Sequence, residues 1–231
     1  MKKRGVLIVI DGADGTGKAT QVKLLLSRLK KEGHRAKSLD FPQYEKNFFG
    51  GLIGRALTGL YGDFIALDPH IASVLYAADR FESKATLEKW LAQGFVVVLD
   101  RFVSANQIHQ GGKIADAKKR KKFLEWLEKM EFGVFGLPKP DVILYLDVPI
   151  EVSEKLLGEK TSFSKKQYAK GKKDLAESDA KHQRDARVSA LKMIQKNNHW
   201  VKIPCAERGV LLAREVIAER IWQRVRTLKK L

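Results

Sequence analysis

Short apolar runs alternate along the chain with longer segments whose apolar residues recur at helical spacing. The runs predict five strands, at 5–11, 35–41, 95–100, 141–148 and 199–205. The first, third and fourth runs are apolar at successive positions, as strands buried on both faces of a parallel sheet are. Helices are predicted between them, at 17–32, 47–59, 67–93, 104–131, 149–158, 175–197 and 209–229. This alternation favours an α/β fold with helices on both faces of a parallel sheet.

One segment departs from the alternation. Residues 158–174 are rich in lysine, contain two glycines and lack helical apolar spacing. They predict a mobile loop or lid, with a surface insertion without function as the alternative. Because no internal repeat and no linker rich in proline or serine divides the 231 residues, we expect a single domain over 1–231 that includes the lid.

Composition changes this picture mainly through charge. Lys and Arg number 44 against 27 Asp and Glu, a formal net charge of +17. Such an excess favours anionic partners, although a lysine-rich, well-solvated surface would by itself explain most of it. The apolar run at 6–10 is shorter than a signal-peptide core, no run approaches the length that spans a bilayer, and the single cysteine, Cys205, permits no disulfide within the chain. We therefore expect a soluble cytoplasmic protein with no membrane partner.

The first predicted strand leads into a glycine-rich loop, GADGTGKAT at 12–20. Gly12, Gly17 and Lys18 have the spacing of the phosphate-binding pattern G-x-x-x-x-G-K-[ST], but Ala19 replaces the hydroxyl residue that contacts magnesium. Glycines let successive backbone N–H groups converge on one point, and the next helix adds its dipole. Lys18 would reach the β and γ phosphates. The residues expected to bind ATP are Gly12, Ala13, Asp14, Gly15, Thr16, Gly17, Lys18, Ala19 and Thr20.

Asp14 is unusual, because an acidic group inside such a loop would repel phosphates. Its position makes sense if the side chain points away from them, toward a second substrate or a metal; the alternative is a turn-forming aspartate that caps local N–H groups. Thr20 is rotated by about 100° from Ala19 around the helix, so it cannot simply replace the missing hydroxyl. We expect magnesium to be held mainly by phosphates and waters, with Asp100 orienting those waters.

A second constellation follows the third strand, which ends in Asp100 and Arg101. Ligands of open α/β sheets bind at the carboxyl ends of strands, so these residues should face the same crevice as the loop. An arginine there can hold a phosphate bidentately, unless the two form only a surface ion pair. Asn106 and His109 lie three apart on one helix face. Asn106 could read a base edge and His109 could pack on a sugar, or both could be ordinary helix residues.

Aromatic residues fall at the same edge of the predicted sheet. Tyr76 and Arg80 are four apart and share a helix face, where they could sandwich and hydrogen-bond a base. An aromatic residue at helical spacing more often belongs to a core. Phe41 and Tyr44 follow the second strand and so lie at its carboxyl end.

Five segments resemble those of thymidylate kinases in order and spacing: DGADGTGKATQ, FPQY, YAADR, DRFVSANQIHQ and GLPKPDVILYLDVP. The resemblance covers roughly residues 5–205. It implies a P-loop NTPase-type three-layer fold with a five-stranded parallel sheet and a mobile lid. It also implies phosphorylation of dTMP to dTDP in dTTP biosynthesis, with ATP and Mg²⁺ as donor and cofactor, and commonly a homodimer.

The resemblance further implies roles for single residues. Lys18, Arg101 and Asp14 would be catalytic, with Arg101 on the acceptor phosphate and Asp14 on the acceptor sugar hydroxyl. Tyr76 would stack on thymine, and Arg80 and Asn106 would read the base. The implied acceptor-binding set is Asp14, Phe41, Tyr44, Tyr76, Arg80, Arg101, Asn106 and His109.

The sequence also departs from the family pattern. His109 stands where many members carry tyrosine against the deoxyribose, and Ser104 is followed by Ala105 where members often have serine beside the asparagine. Neither the loop nor the lid contains the arginine that many members use in catalysis. We expect a lid lysine to neutralise transition-state charge instead. The candidates are Lys160, Lys165, Lys166, Lys170, Lys172 and Lys173.

Two other functions stay open at this point. One is a kinase for another (deoxy)nucleoside monophosphate. The other is a nucleic-acid-binding P-loop ATPase, which the net charge and the basic run AKKRKK at 117–122 suggest. That run begins a predicted helix whose other face, with Phe123 and Leu127, is apolar. A solvated helix face explains the run more simply, so nucleic acid is not an expected partner.

Overall fold

A computed structural model describes residues 4–153, 175–229 and 231 of the chain. The five predicted strands are present as β1 Leu7–Gly12, β2 Ala36–Asp40, β3 Val96–Asp100, β4 Val142–Asp147 and β5 Trp200–Pro204. They form one parallel sheet in the order β2-β3-β1-β4-β5. In its register Ile8 lies between Val98 and Val142. The predicted α/β fold with five parallel strands is therefore confirmed.

Helices surround this sheet. In chain order they are α1 Lys18–Lys31, α2 Phe48–Leu57, α3 Pro69–Glu82, α4 Lys84–Ala92, α5 Val103–Gly112, α6 Ala117–Glu128, α7 Leu175–Ser178, α8 Ala180–Lys196 and α9 Arg214–Val225. A π-helix, π1 Lys129–Val134, follows α6 directly. Residues 150–153 are helical up to the limit of the described chain.

The core lies on both sides of the sheet because β1 is buried along its whole length. Ile8 and Ile10 face one side, where they cluster with residues of α1 and α9. Leu7 and Val9 face the other side, where they cluster with residues of α4, α5 and α8. Alternate residues of one strand thus contact two helix layers. This is the reason that the run read as continuously apolar in the sequence.

Four predicted helices have different limits in the structure. The prediction at 175–197 is α7 and α8, divided at Asp179, whose side chain accepts from the backbone N–H of His182. The prediction at 67–93 is two helices, α3 and α4, that meet at Ser83. The prediction at 104–131 is α5, α6 and the first part of π1, because Asp116 caps a new helix by accepting from the backbone N–H of Lys119. The prediction at 209–229 begins only at 214, because Arg208 and Gly209 both have positive φ and turn a short hairpin, β6 Ala206–Glu207 and β7 Val210–Leu211.

Other sequence features have a plain structural outcome. The basic run at 117–122 lies on α6, whose Phe123 and Leu127 are buried while its lysines are exposed. Among the described helices, none has the length and apolar character that crossing a bilayer demands. The predicted lid at 158–174 and its six candidate lysines lie outside the described residues.

Candidate active site

The glycine-rich loop connects β1 to α1 over residues 13–17. Gly15 and Gly17 have φ of 78° and 85°, a left-handed conformation that residues with a Cβ rarely adopt. The Thr16 hydroxyl donates to the carbonyl oxygen of Ala13 at 2.8 Å and tightens the turn. The loop therefore has the strand–loop–helix context that the sequence pattern requires for a phosphate site.

Lys18 begins α1 and folds back over this loop. Its Nζ donates to the carbonyl oxygens of Gly12 at 3.1 Å and Ala13 at 2.8 Å. Burial, and then the positive charge of Arg101, lower the pKa of Lys18 to about 8, although Asp14 and two further carboxylates act in the opposite direction. The Lys18 ammonium is thus held at the loop, with a pKa only slightly above neutral pH.

The carboxylate of Asp14 contacts residues that are distant in the sequence. Its Oδ1 accepts from Arg101 Nη2 at 2.7 Å, and its Oδ2 accepts from Gln183 Nε2 at 3.0 Å. The backbone N–H of Asp14 donates to Gln183 Oε1 at 3.3 Å. Asp14 is therefore joined to the ends of β3 and α8, rather than acting only as a cap for local N–H groups.

Arg101 follows β3 directly and is surrounded by carboxylates. Besides Asp14, its guanidinium lies 3.6 Å from Asp11 Oδ1, and Nη1 lies 2.7 Å from Nε2 of His109. Burial opposes the charge, but Asp14, Asp11 and Asp100 together raise the pKa of Arg101 above its ordinary value. Its φ of 65° is unfavourable for a residue with a side chain. The surrounding structure thus holds a permanent cation in a defined place.

Asp11 was not among the predicted site residues, yet it supports two of them. The side chain is fully buried, and Oδ2 accepts from the Ser104 hydroxyl at 2.6 Å. Oδ1 accepts from the backbone N–H of Gly12 and faces Arg101. Ser104 therefore orients a carboxylate beneath the site. Asp11 had one sequence signal, since it is the polar residue that ends an apolar strand.

Two histidines lie beside Arg101. His109 on α5 lies edge to edge with His182 on α8, with nearly parallel ring planes and ring centroids 5.2 Å apart. Burial, then the charge of Arg101 and the neighbouring ring, hold the pKa of His109 well below its ordinary value. Burial and Lys113 lower the pKa of His182 as well. Both rings are therefore neutral at neutral pH.

Asp100 lies at the end of β3, near Lys18. Burial raises the pKa of its carboxyl group, while Lys18 and Arg101 act to lower it. Its side chain accepts no hydrogen bond from another described residue. Ala19 and Thr20 are both exposed on the first turn of α1. Across the part of the chain that the structure describes, no group of three or more His, Cys, Asp or Glu side chains is arranged to hold a metal ion.

An open cleft of about 690 Å³ extends from Asp14 and Arg101 along α5 and α3. All eight residues of the predicted acceptor set line it: Asp14, Phe41, Tyr44, Tyr76, Arg80, Arg101, Asn106 and His109. Gln110, Lys113 and His182 also line it, without having been predicted. The structure therefore brings the predicted residues together, and it joins them to the loop through the Asp14–Arg101 pair.

The far end of the cleft combines an aromatic wall with a buried ionic group. Tyr76 packs near Phe64, with ring centroids 6.0 Å apart, and so belongs to a small apolar cluster as well as to the cleft. Arg80 and Asn106 both donate to Glu131, a fully buried carboxylate. Sequence reasoning missed Glu131, His182 and Gln183, because no local motif marks them.

Comparisons with known proteins point to one family. The family model described as thymidylate kinase matches residues 10–216. A thymidylate kinase of Mycobacterium tuberculosis is 33% identical over 157 residues, which are 68% of this chain and 70% of that protein. The human thymidylate kinase is 30% identical over 169 residues, covering 73% and 71%. A solved thymidylate kinase of Candida albicans, described as broad in substrate specificity, shares the fold with a TM-score of 0.73 at 22% identity, covering 100% of this chain and 95% of that one.

Proposed function

The chain belongs to the thymidylate kinase family and is accordingly a nucleoside monophosphate kinase, and we propose that its cleft receives dTMP for phosphorylation by ATP. The observation that carries this proposal is the 2.7 Å contact between Asp14 and Arg101. It places a carboxylate of the donor-type loop and an arginine of the acceptor cleft side by side. Donor and acceptor phosphates would therefore meet at this point.

On the donor side, the loop amides and Lys18 would bind the ATP phosphates. Phosphoryl transfer needs little covalent chemistry from the protein, because alignment of the two phosphates and neutralisation of their charge supply most of the catalysis. The Lys18 ammonium is buried and is held by loop carbonyl oxygens, so it is already near the loop that would receive the phosphates. The catalytic role of a lid lysine stays a prediction, because those residues lie outside the described chain.

On the acceptor side, Arg101 would hold the dTMP phosphate and Asp14 the sugar hydroxyl. Tyr76 would stack on the base, and Arg80 and Asn106 would read its edge. The order of these groups along the cleft supports the assignment, since Arg101 lies beside the loop and Arg80 lies on α3, at the wall that Glu131 supports. Phe41, Tyr44 and His109 would complete the walls.

The family implies Mg²⁺, and the carboxylates present fit it. Magnesium prefers oxygen ligands, keeps several waters, and binds through one or two carboxylates together with substrate phosphates. Asp100 offers a carboxylate near Lys18 that no described residue engages by a hydrogen bond. Asp100 would therefore hold the ion through water, and the ion would neutralise charge on the transferring phosphate. The side chain of Ala19 cannot ligate the ion, because it has no oxygen.

A homodimer is the assembly that we propose. Ile71, Val74 and Phe81 form an apolar stripe along one face of α3, and they are 55%, 39% and 49% exposed. A second copy of the chain would cover this stripe. Light scattering after chromatography should show a dimer for the wild type and a monomer for Val74→Lys. Val188→Lys, at a site on α8 that is 49% exposed, should remain dimeric, and dissociation by both changes would contradict this interface.

The fold supports one domain over the whole chain, because strands from residue 7 to residue 204 share a single sheet. A cytoplasmic location is also proposed. The lone cysteine, Cys205, is buried in the core and needs no oxidising compartment.

A coupled assay of ADP release tests the function. The acceptors would be dTMP, dUMP, dGMP, AMP and CMP, each with ATP and Mg²⁺. We expect the highest kcat/KM with dTMP. A higher value with another nucleotide would make the protein a kinase of that nucleotide. ADP release that needs DNA and no acceptor would instead indicate a nucleic-acid-dependent ATPase.

A further inference from the structure

Glu131 is a carboxylate in the protein interior, and the proposed phosphoryl-transfer step assigns no role to it. It belongs to π1, and its side chain is fully buried. Oε2 accepts from Arg80 Nε at 2.7 Å, while Oε1 accepts from Arg80 Nη2 at 2.7 Å and from Asn106 Nδ2 at 2.9 Å. Burial of a carboxylate is unfavourable unless it is paired and hydrogen-bonded, and here both oxygens are. One carboxylate thus holds two residues of the cleft wall.

The contact with Glu131 determines what Arg80 can offer to a ligand. A guanidinium has donors only, and two of its nitrogens, Nε and Nη2, are directed at Glu131. The nitrogen with no bond to another described residue is Nη1. Because Arg80 lines the cleft, its free hydrogens can meet only an acceptor atom of a ligand.

Asn106 is oriented by the same carboxylate. Its Nδ2 donates to Glu131 Oε1 and to the carbonyl oxygen of Ser73 at 3.2 Å. Both neighbours are pure acceptors, so only the NH₂ side of the amide can face them. The two amide hydrogens are then used, and Oδ1 is the polar atom left for the cleft. Asn106 therefore presents an acceptor.

These two orientations match one kind of base edge. Arg80 Nη2 and Asn106 Nδ2 share the oxygen Oε1, so the outward donor and the outward acceptor are neighbours. Thymine and uracil present a carbonyl oxygen next to a ring N–H, which complements this pair. Cytosine and adenine present an amino group next to a bare ring nitrogen, which is the reverse arrangement.

We propose that Glu131 is a specificity-determining residue, which fixes the polarity of the Arg80–Asn106 pair so that the cleft accepts a keto pyrimidine and rejects an amino pyrimidine. This inference rests on the proposed function of the cleft. Glu131 acts as a positioning residue, since it contacts Arg80 and Asn106 and would affect the base only by orienting them. A site built to hydrogen-bond its substrate rejects mismatched analogues strongly, because buried groups would be left unpaired.

Glu131→Gln tests the proposal at almost constant side-chain volume. Either orientation of the new amide places N–H against an Arg80 donor, and one of them lets Asn106 turn over. We expect kcat/KM for dTMP to fall about 100-fold, with kcat/KM for dCMP unchanged or higher. The ratio of the two is the decisive quantity, because a purely structural role would lower both equally. An unchanged ratio would overturn the proposal.

Two controls complete the design. Glu128→Gln changes the same residue type one turn earlier, at an exposed position whose carboxylate accepts from Gln107, and should leave the ratio unchanged. Assaying the wild-type enzyme with 3-methyl-dTMP requires no variant, so it tests the assigned polarity even if Glu131→Gln does not fold. Because the methyl group replaces the hydrogen that Asn106 should accept, we expect about a 100-fold loss of kcat/KM relative to dTMP, and equal use of both would refute the assigned polarity.

The outcomes separate this inference from the proposed function. A wild-type enzyme that fails to phosphorylate dTMP contradicts the function itself. A wild-type enzyme that phosphorylates dTMP, together with a Glu131→Gln variant of unchanged dTMP to dCMP ratio, contradicts only the role of Glu131.

Discussion

His109 and His182 lie edge to edge, with Nδ1 of the first 3.2 Å from Nε2 of the second. The other ring nitrogen of His109, Nε2, is 2.7 Å from Arg101 Nη1. A guanidinium only donates, so this Nε2 must accept, and the proton of the neutral ring must lie on Nδ1. That proton can then be donated to His182. Arg101 at Nε2 and His182 at Nδ1 therefore favour the same tautomer of His109, and His182 adds a support from α8 to the contact with Arg101.

Replacing His182 tests this relationship. His182→Phe keeps a planar ring but removes the acceptor, so we expect a weaker preference of His109 for the Nδ1–H tautomer and a weaker hydrogen bond between His109 and Arg101. The KM for dTMP should rise about tenfold, which corresponds to one hydrogen bond of ordinary strength, with a smaller change in kcat. Steady-state kinetics and the ¹⁵N chemical shifts of His109 provide the two measurements.

His182→Gln is the matched variant, because an amide oxygen can replace the ring acceptor. It should restore both the KM and the ¹⁵N signature of Nδ1–H. A His182→Phe enzyme with wild-type KM and an unchanged tautomer would show that the pair has no influence on Arg101.

Gln183 holds Asp14 through two hydrogen bonds, one to the carboxylate and one from the backbone N–H. Gln183→Glu would place a second carboxylate against the first, and like charges at this distance repel. We expect kcat/KM of the Gln183→Glu enzyme for dTMP to fall at least about tenfold at pH 8. The loss should shrink at pH 6, because one proton shared by the two carboxylates restores a hydrogen bond. Activity profiles between pH 6 and 8 provide the measurement.

Gln107→Glu is a matched control, since Gln107 also donates to a carboxylate, that of Glu128, but lies outside the cleft. Thermal melting should detect a destabilised protein in both variants. Only Gln183→Glu should show the pH-dependent loss of kcat/KM. A loss of kcat/KM in that variant without any pH dependence would mean that charge repulsion with Asp14 does not cause the loss.

Lys18 should make ATP binding sensitive to alkaline pH. Its pKa is lowered to about 8, chiefly by burial and next by Arg101. The charged form therefore predominates below pH 8 and is lost above it, so attraction for phosphates declines as pH rises. Calorimetry of ATP binding to the free enzyme should show the Kd rising above pH 8, by up to about tenfold per pH unit.

Lys113 must be separated from Lys18, because burial lowers its pKa to about 8 as well. Its side chain lines the cleft, and its Nζ donates to the carbonyl oxygen of Leu67 rather than to the glycine-rich loop. Lys113→Met should therefore retain the alkaline rise in Kd for ATP. Disappearance of the rise in that variant would assign the titration to Lys113.

The strands could be predicted because a strand that is buried on both faces has apolar residues at successive positions of the sequence. The five residues of β3, Val96–Asp100, are apolar until the last, and the structure covers both sides of them. The helix ends were less predictable. Apolar spacing continues across Ser83, which makes no side-chain capping bond, and across the break before Asp116, whose carboxylate caps α6. The periodicity therefore hid both divisions.

The candidate site divides in the same way. Residues at strand ends and on one helix face, such as Arg101 and Asn106, could be predicted because their positions follow from topology and helical spacing. Glu131 and Gln183 could not be predicted. They contact Arg80 across 51 positions and Asp14 across 169 positions, and no local pattern carries such contacts. The residues that would bind ligand were visible in the sequence, whereas the residues that orient them required the fold.

Gly50 and Gly51 provide a test of how tightly the cleft wall is packed. A Cβ on Gly50 would lie 2.2 Å from the carbonyl oxygen of Gln43 and 2.8 Å from Asp79 Oδ1. A Cβ on Gly51 would lie 3.4 Å from the carbonyl oxygen of Tyr44, an ordinary contact. Both glycines are inside α2, where alanine is otherwise favoured by about 1 kcal/mol. Only steric contact therefore distinguishes the two positions.

We expect Gly50→Ala to lower the free energy of unfolding by about 3 kcal/mol, because backbone atoms of Gln43 must move. It should also raise the KM for dTMP, since Tyr44 and the proline before Gln43 line the cleft. Gly51→Ala should be neutral or stabilising by up to about 1 kcal/mol, with unchanged KM. Urea denaturation and steady-state kinetics measure both effects. Equal unfolding midpoints for the two variants would mean that α2 can shift away from Gln43 without loss, and that this wall of the cleft is not rigidly packed.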